Sequence, residues 1–130
     1  MPLRVLVVDD ESDVRMMLRI QLEHHDGIEI VGEASDGRDA LEKIASVQPD
    51  AVVMDLLMPR MSGIEAIQVM REECRSVAVV AYTATAGEFV RQEMARMNVP
   101  LLLKSGDIEP LVQALLATRA APAPNGNSVP

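Results

Sequence analysis

Residues Ala51-Val52-Val53-Met54-Asp55-Leu56-Leu57-Met58-Pro59 set a short apolar run directly against a carboxylate, with a proline four residues later. A strand with one wet face would alternate apolar and polar residues. This one does not, so it reads as buried on both faces, as in a parallel sheet covered by helices. Pro59 forbids an immediate helix. Asp55 then belongs at the carboxyl end of an interior strand, where open α/β sheets gather their chemistry. For that residue alone the alternative is a solvated turn, where Asp is favoured by its backbone hydrogen bonds.

The rest of the chain repeats the pattern. Leu3 to Val8 is a β-branched run ending in Asp9-Asp10-Glu11. Ser12 is placed to cap a first helix with Asp13 in its opening turn and Val14, Met17, Leu18, Gln21 and Leu22 at helical spacing. His24 and His25 close it and Gly27 stops it. Adjacent helical histidines point about 100° apart, so they read as cations at a helix C-terminus rather than as a metal pair. Ile28 to Ala34 is a second strand, and Asp36-Gly37 turns into a helix carrying Ala40, Leu41, Ile44, Ala45 and Val47. Ser62-Gly63 introduces a third helix with Ile64, Ile67 and Met70 inward. Val77 to Tyr82 is a fourth strand ending at Thr83, followed by a helix of about Glu88 to Met97. Leu101-Leu102-Leu103 is a short fifth strand ending in Lys104, and Gly106-Asp107 opens the last helix. Five strands alternating with five helices imply a parallel sheet covered on both faces, an α/β fold. The stretch 120–130 has linker composition and is assigned no secondary structure.

Composition narrows the function. With 130 residues the chain makes one domain. It has no Trp, one Phe (Phe89) and one Tyr (Tyr82), so Val, Leu, Ile, Ala and nine Met must build the core. A net charge of -8 argues against unaided nucleic-acid binding and suits a protein that attracts a divalent cation. Cys74 stands alone, which excludes an internal disulfide and fits a reducing compartment. No apolar run approaches the ~18 residues of a membrane span, and Met1-Pro2-Leu3-Arg4 leads into a strand rather than a signal peptide, so a cytoplasmic location is the default.

Asp9-Asp10, Asp55, Thr83 and Lys104 terminate four of the five strands, and in a right-handed parallel sheet these ends share one edge. If the first and third strands are neighbours, three carboxylates converge and need a cation to remain charged. Oxygen-only ligands describe a Mg²⁺ site, while Lys104 supplies a point charge and Thr83 a hydroxyl for phosphate oxygens. A carboxylate in that company is equipped to attack phosphorus and hold an aspartyl phosphate. Each residue has an ordinary role too: an acidic helix start, a helix cap, a solvated lysine.

On Val7-Val8-Asp9-Asp10-Glu11, Val53-Met54-Asp55-Leu56-Leu57-Met58-Pro59, Met61-Ser62-Gly63, Tyr82-Thr83-Ala84 and Leu103-Lys104-Ser105, the chain resembles a response regulator receiver domain of two-component signalling over about residues 3 to 117. Gly32-Glu33-Ala34-Ser35-Asp36-Gly37 and Leu102-Leu103-Lys104-Ser105 are most similar to the NarL/LuxR-like subfamily, usually linked to a DNA-binding domain. The resemblance implies a flavodoxin-like, doubly wound sheet in the order 2-1-3-4-5, with a receiver domain at 1–119 and a tail or linker at 120–130. It implies phosphorylation of Asp55 by a sensor histidine kinase, and Mg²⁺ held by Asp9, Asp10, Asp55 and the Leu57 carbonyl. Lys104 would pair with the phosphoryl group, and Thr83 would rotate to bond it, shifting the surface of helix four, strand five and helix five. Output would pass to an attached effector domain or a separate partner, with homodimerisation on phosphorylation as a further option.

Three departures from that pattern are Leu101 where the family often has an aromatic switch residue, Ser105 where a proline with a cis bond is common, and Val99-Pro100 where the subfamily usually has Ala-Gly. Among competing functions, a Mg²⁺-dependent phosphohydrolase needs a general acid where Leu57 stands. A flavin carrier needs a Gly- and hydroxyl-rich loop where Asp9-Asp10-Glu11 stand. A docking module without phosphorylation would have lost a key residue, and none is lost. No helix-turn-helix follows the last helix, so the chain reads as a receiver alone, free-standing or cut at its linker.

Overall fold

The computed structural model describes residues 1–74 and 76–120. Strands and helices alternate throughout: β1 Leu3–Val8, α1 Ser12–Glu23, β2 Ile28–Ala34, α2 Gly37–Val47, β3 Ala51–Met54, α3 Gly63–Glu73, β4 Ala78–Thr83, α4 Glu88–Arg96, β5 Leu101–Leu103 and α5 Glu109–Ala120. All strand pairs are parallel, and the sheet runs β2-β1-β3-β4-β5. This is the flavodoxin-like order, with β3 crossing to the far side of β1.

The side-chain period of a strand sorts the sheet residues between two cores. Leu6, Val8, Val52, Met54, Val79 and Ala81 face the helices α2, α3 and α4, where Ile44, Ile67, Met70 and Met94 meet them. Val5, Val7, Val53, Val80 and Tyr82 face α1 and α5, where Leu18, Leu22, Leu111, Val112 and Leu115 meet them. All four residues of β3 are buried, so its unbroken apolar run is what the two-sided cover demands. Each Leu, Ile or Met buried this fully contributes roughly 1.5–3 kcal/mol relative to exposure.

The helix starts follow local chemistry. Asp36 caps α2, accepting from the Asp39 N–H. Ser62 and Glu65 form a reciprocal capping box at α3. The first helix departs from expectation. Its N-cap is Glu11, which makes no side-chain cap bond, and Ser12 is already helical. The Asp9 carboxylate accepts from the Glu11 N–H instead, so the strand-end acid shapes the turn. The helix ends at Glu23, before the histidines, and His25 Nδ1 accepts from the Gly27 N–H in the following turn. Met17 and Gln21 do not join the buried stripe, which rests on Leu18 and Leu22.

The last helix begins at Glu109, after an Asp107 carboxylate bond to the Glu109 N–H. It reaches Ala120, and the remainder of the expected 120–130 tail lies outside the described residues. No peptide bond among the described residues is cis, so Lys104-Ser105 is trans. Among them, no helix is long and apolar enough to cross a membrane.

Candidate functional site

The register places every strand end at one edge. Val8 pairs with Met54, Met54 with Ala81, and Thr83 with Leu103. Pairing continues one step beyond the strands: the Asp55 N–H donates to the Val8 carbonyl at 3.0 Å and the Lys104 N–H to the Thr83 carbonyl at 2.8 Å. Asp9 and Asp55 are thereby held side by side by backbone, before their side chains contribute anything. Both are almost fully buried, at 1% and 5% exposure, whereas Asp10 is exposed.

The carboxylates of Asp9, Asp10 and Asp55 each offer an oxygen within 4.8 Å of the others. Lys104 Nζ lies 2.6 Å from Asp9 Oδ2 and 3.7 Å from Asp55 Oδ2, so the ammonium bridges two of the three acids. Asp55 Oδ1 also accepts from the Leu57 N–H at 3.3 Å. Burial raises the Asp55 pKa above the ordinary carboxylate range and the Asp9 charge adds to it, with Lys104 opposing. For Lys104, burial alone would depress the pKa, but the Asp9 bond and the charges of Asp55, Asp9 and Glu11 outweigh it and raise the value. The cluster therefore carries more negative charge than one ammonium offsets. Its donors are all oxygen, with the exposed Asp10 leaving an approach for water, which fits a small hard dication.

Thr83 is fully buried, and its hydroxyl donates to the Thr85 carbonyl at 3.3 Å rather than into the acid cluster. Leu57 is exposed beside Asp55. At the positions marked as departures, Leu101 is half-buried against the α2–α4 core, and Tyr82 is buried on the opposite face of the sheet, with its hydroxyl pKa raised by burial.

Two supporting features escaped sequence reasoning. A Cβ on Gly63 would stand 2.0 Å from the Asp55 carbonyl oxygen, so α3 starts against the backbone of the acid that closes β3. Its sequence signal was present, a glycine directly after a capping serine, but it read only as a helix start. The second is an ion pair from Arg60 Nε to Asp36 Oδ2, at 2.6 Å, which joins the loops after β2 and β3. It has no local signal.

A family profile described as response regulator receiver domain matches residues 5–116. The chain is 34% identical over 137 residues to a protein-glutamate methylesterase/protein-glutamine glutaminase of Alkalilimnicola ehrlichii, covering 95% of this chain and 35% of that protein. It is 39% identical over 84 residues to the response regulator protein VraR of Staphylococcus saprophyticus, covering 65% of this chain and 40% of that one. The chain thus spans less than half the length of these curated relatives. Among solved structures, a LuxR-family two-component response regulator of Aurantimonas sp. aligns with a TM-score of 0.86 and 31% identity, over 95% of this chain and 89% of that one. The response regulator domain of Thermotoga maritima CheB aligns with a TM-score of 0.78 and 28% identity, over 98% and 99%. Family profile, fold and strand-end cluster agree: the chain belongs to the response regulator receiver domain family, the phosphoryl-accepting switches of two-component signalling.

Proposed function

We propose that Asp55 is the phosphoacceptor and that a sensor histidine kinase is the donor. The observation that supports this most is the Asp9–Lys104–Asp55 bridge beside Asp10: a buried nucleophile flanked by one cation and by acids able to recruit another. Asp9, Asp10, Asp55 and the Leu57 carbonyl would hold Mg²⁺, which when bound supplies positive charge against the transferred phosphoryl oxygens. An Asp55 oxygen attacks phosphorus as the bond from phosphorus to the donor nitrogen breaks. Lys104 follows the charge, exchanging part of its Asp9 contact for a phosphoryl oxygen. Thr83 gives up its bond to the Thr85 carbonyl and turns its hydroxyl to another.

That rotation would couple the site to the surface of α4, β5 and α5, whose partner is an attached effector domain or a separate output protein, with homodimerisation on phosphorylation as one form of output. Residues 1–119 make the switch and 120–130 the linker, in a protein we place in the cytoplasm with its kinase. The chain would catalyse only its own phosphorylation and dephosphorylation.

Mass spectrometry after incubation with acetyl phosphate and Mg²⁺ tests the assignment. The parent should gain one phosphoryl mass, mapped to Asp55, and Asp55→Asn should not. A gain retained in the variant would overturn the assignment.

A further inference from the structure

The loop between β3 and α3 carries both Asp55 and Leu57, and its shape is not an intrinsic preference of its residues. Arg60 sits at φ 64°, in the left-handed region, although it is neither Gly nor Asn. Any side chain with a Cβ there costs roughly 1 kcal/mol, and that conformation persists when neighbours over-determine it. The neighbours are on the other loop. Asp36 divides its carboxylate between two tasks: Oδ1 caps α2 by accepting from the Asp39 N–H at 2.8 Å, and Oδ2 accepts from Arg60 Nε at 2.6 Å. The Asp36 side chain is 9% exposed and the Arg60 side chain 67%, so the buried partner sets the position and the exposed one is drawn to it.

One residue on, the Gly37 N–H donates to the Met61 carbonyl at 2.9 Å, which satisfies an orphan donor at the start of α2. A Cβ on Gly37 would meet Met61 Cγ and the Met61 carbonyl oxygen at 2.7 Å, so nothing larger fits between them. At its far end the same loop is stopped by Gly63 against the Asp55 carbonyl. Arg60, Met61 and Gly63 therefore pin the segment that presents Leu57.

We infer that Arg60 is a positioning residue: its ion pair with Asp36 holds the β3–α3 loop in the shape that lets Asp55 and Leu57 bind a divalent cation. The inference rests on the reading of the acid cluster as a metal-dependent phosphoacceptor site. Asp36 is the N-cap of α2 and Arg60 lies in the β3–α3 loop, so the pair joins cation affinity to how the start of α2 is seated.

The signs of the expected effects separate positioning from simple charge. Through-space electrostatics has Arg60→Gly tighten Mg²⁺ binding, since it removes a positive charge, and Asp36→Asn weaken it. Positioning has both weaken it to a similar extent, by about tenfold as outer-shell changes do, with little further loss in the double variant. Folding is not at risk in either. Gly suits φ 64° better than Arg does, and Asn caps a helix about as well as Asp. Arg60→Lys, which keeps the charge and the pair, should retain most of the parent affinity.

Mg²⁺ affinity is measured by titration calorimetry on the chain without phosphodonor. Hydrogen exchange of the Gly37 amide in the metal-free protein is the second readout, and it should quicken in both single variants. Unchanged or tighter binding in Arg60→Gly, or additive losses in the double variant, would overturn the inference while leaving the phosphoacceptor reading intact. Absence of saturable Mg²⁺ binding by the parent would overturn both.

Discussion

Asp55→Asn should make the metal-free protein more stable and the Mg²⁺-saturated protein less stable than the parent. The magnitude follows from the distances. At an effective dielectric constant of about 20, the Asp9–Asp55 oxygens, within 4.8 Å, repel by about 3–4 kcal/mol, and Lys104 at 3.7 Å attracts by about 4–5 kcal/mol. These nearly cancel. The cost of burying the charge remains, for a side chain with 6% of its surface exposed. Asn keeps the shape and the acceptor for the Leu57 N–H, and Lys104 keeps Asp9 at 2.6 Å. A gain of about 1 kcal/mol is expected, or roughly 4 °C in Tm for a domain of this size.

Mg²⁺ reverses the order. A free ion concentration about ten times Kd stabilises the parent by about 1.4 kcal/mol, and the variant, with a ligand lost, gains less. The pH dependence has a definite sign. Between the ordinary carboxylate value and the raised value in the folded protein, the native state binds the extra proton, so stability falls as pH rises through this window. The gap between metal-free variant and parent should thus close in acid, below the ordinary value, and be fully open above the folded one. Urea unfolding of both proteins, in EDTA and in millimolar Mg²⁺ across this range, makes the comparison. A metal-free Asp55→Asn protein less stable than the parent at neutral pH would refute the reasoning, because Lys104 would then be stabilising the charge rather than merely offsetting it.

Gly63→Ala should lose about 1–3 kcal/mol in urea unfolding, although Ala is the better helix former, because its Cβ would meet backbone atoms of Asp55 and Leu56 at 2.0–2.9 Å and neither can swing away. A neutral or stabilising result would show that the start of α3 has slack. Leu57, apolar and 56% exposed beside Asp55, offers an attacking water no hydrogen bond. Loss of the phosphoryl group should therefore be several-fold slower in the parent than in Leu57→Asn, and equal decay of acetyl-phosphate-labelled proteins would count against that role.

The strand-end chemistry was legible because it is local. Four of the five strand runs switch to Asp, Thr or Lys within one residue, and Asp55, Thr83 and Lys104 needed only the alternation of elements to be assigned to one edge. Residues whose position depends on docking were not legible. Met17 and Gln21 fall on the expected helical stripe yet stay exposed, because α1 meets the sheet through Leu18 and Leu22. Ser12 looked like a cap, but Asp9, held by its pairing to the Ala34 carbonyl, had already shaped the turn.

From the order of residues alone come the alternation of strands and helices, the burial of β3 on both faces, and the identities of the acids, hydroxyl and ammonium at the strand ends, since periodicity and composition act over a few neighbours. Tertiary structure alone decides how those groups share charge: that Lys104 lies nearer Asp9 than Asp55, that Thr83 bonds Thr85, and that Arg60 accepts a left-handed backbone to reach Asp36. Such distances depend on how helices seat against the sheet, and that is a property of the packed whole rather than of any segment.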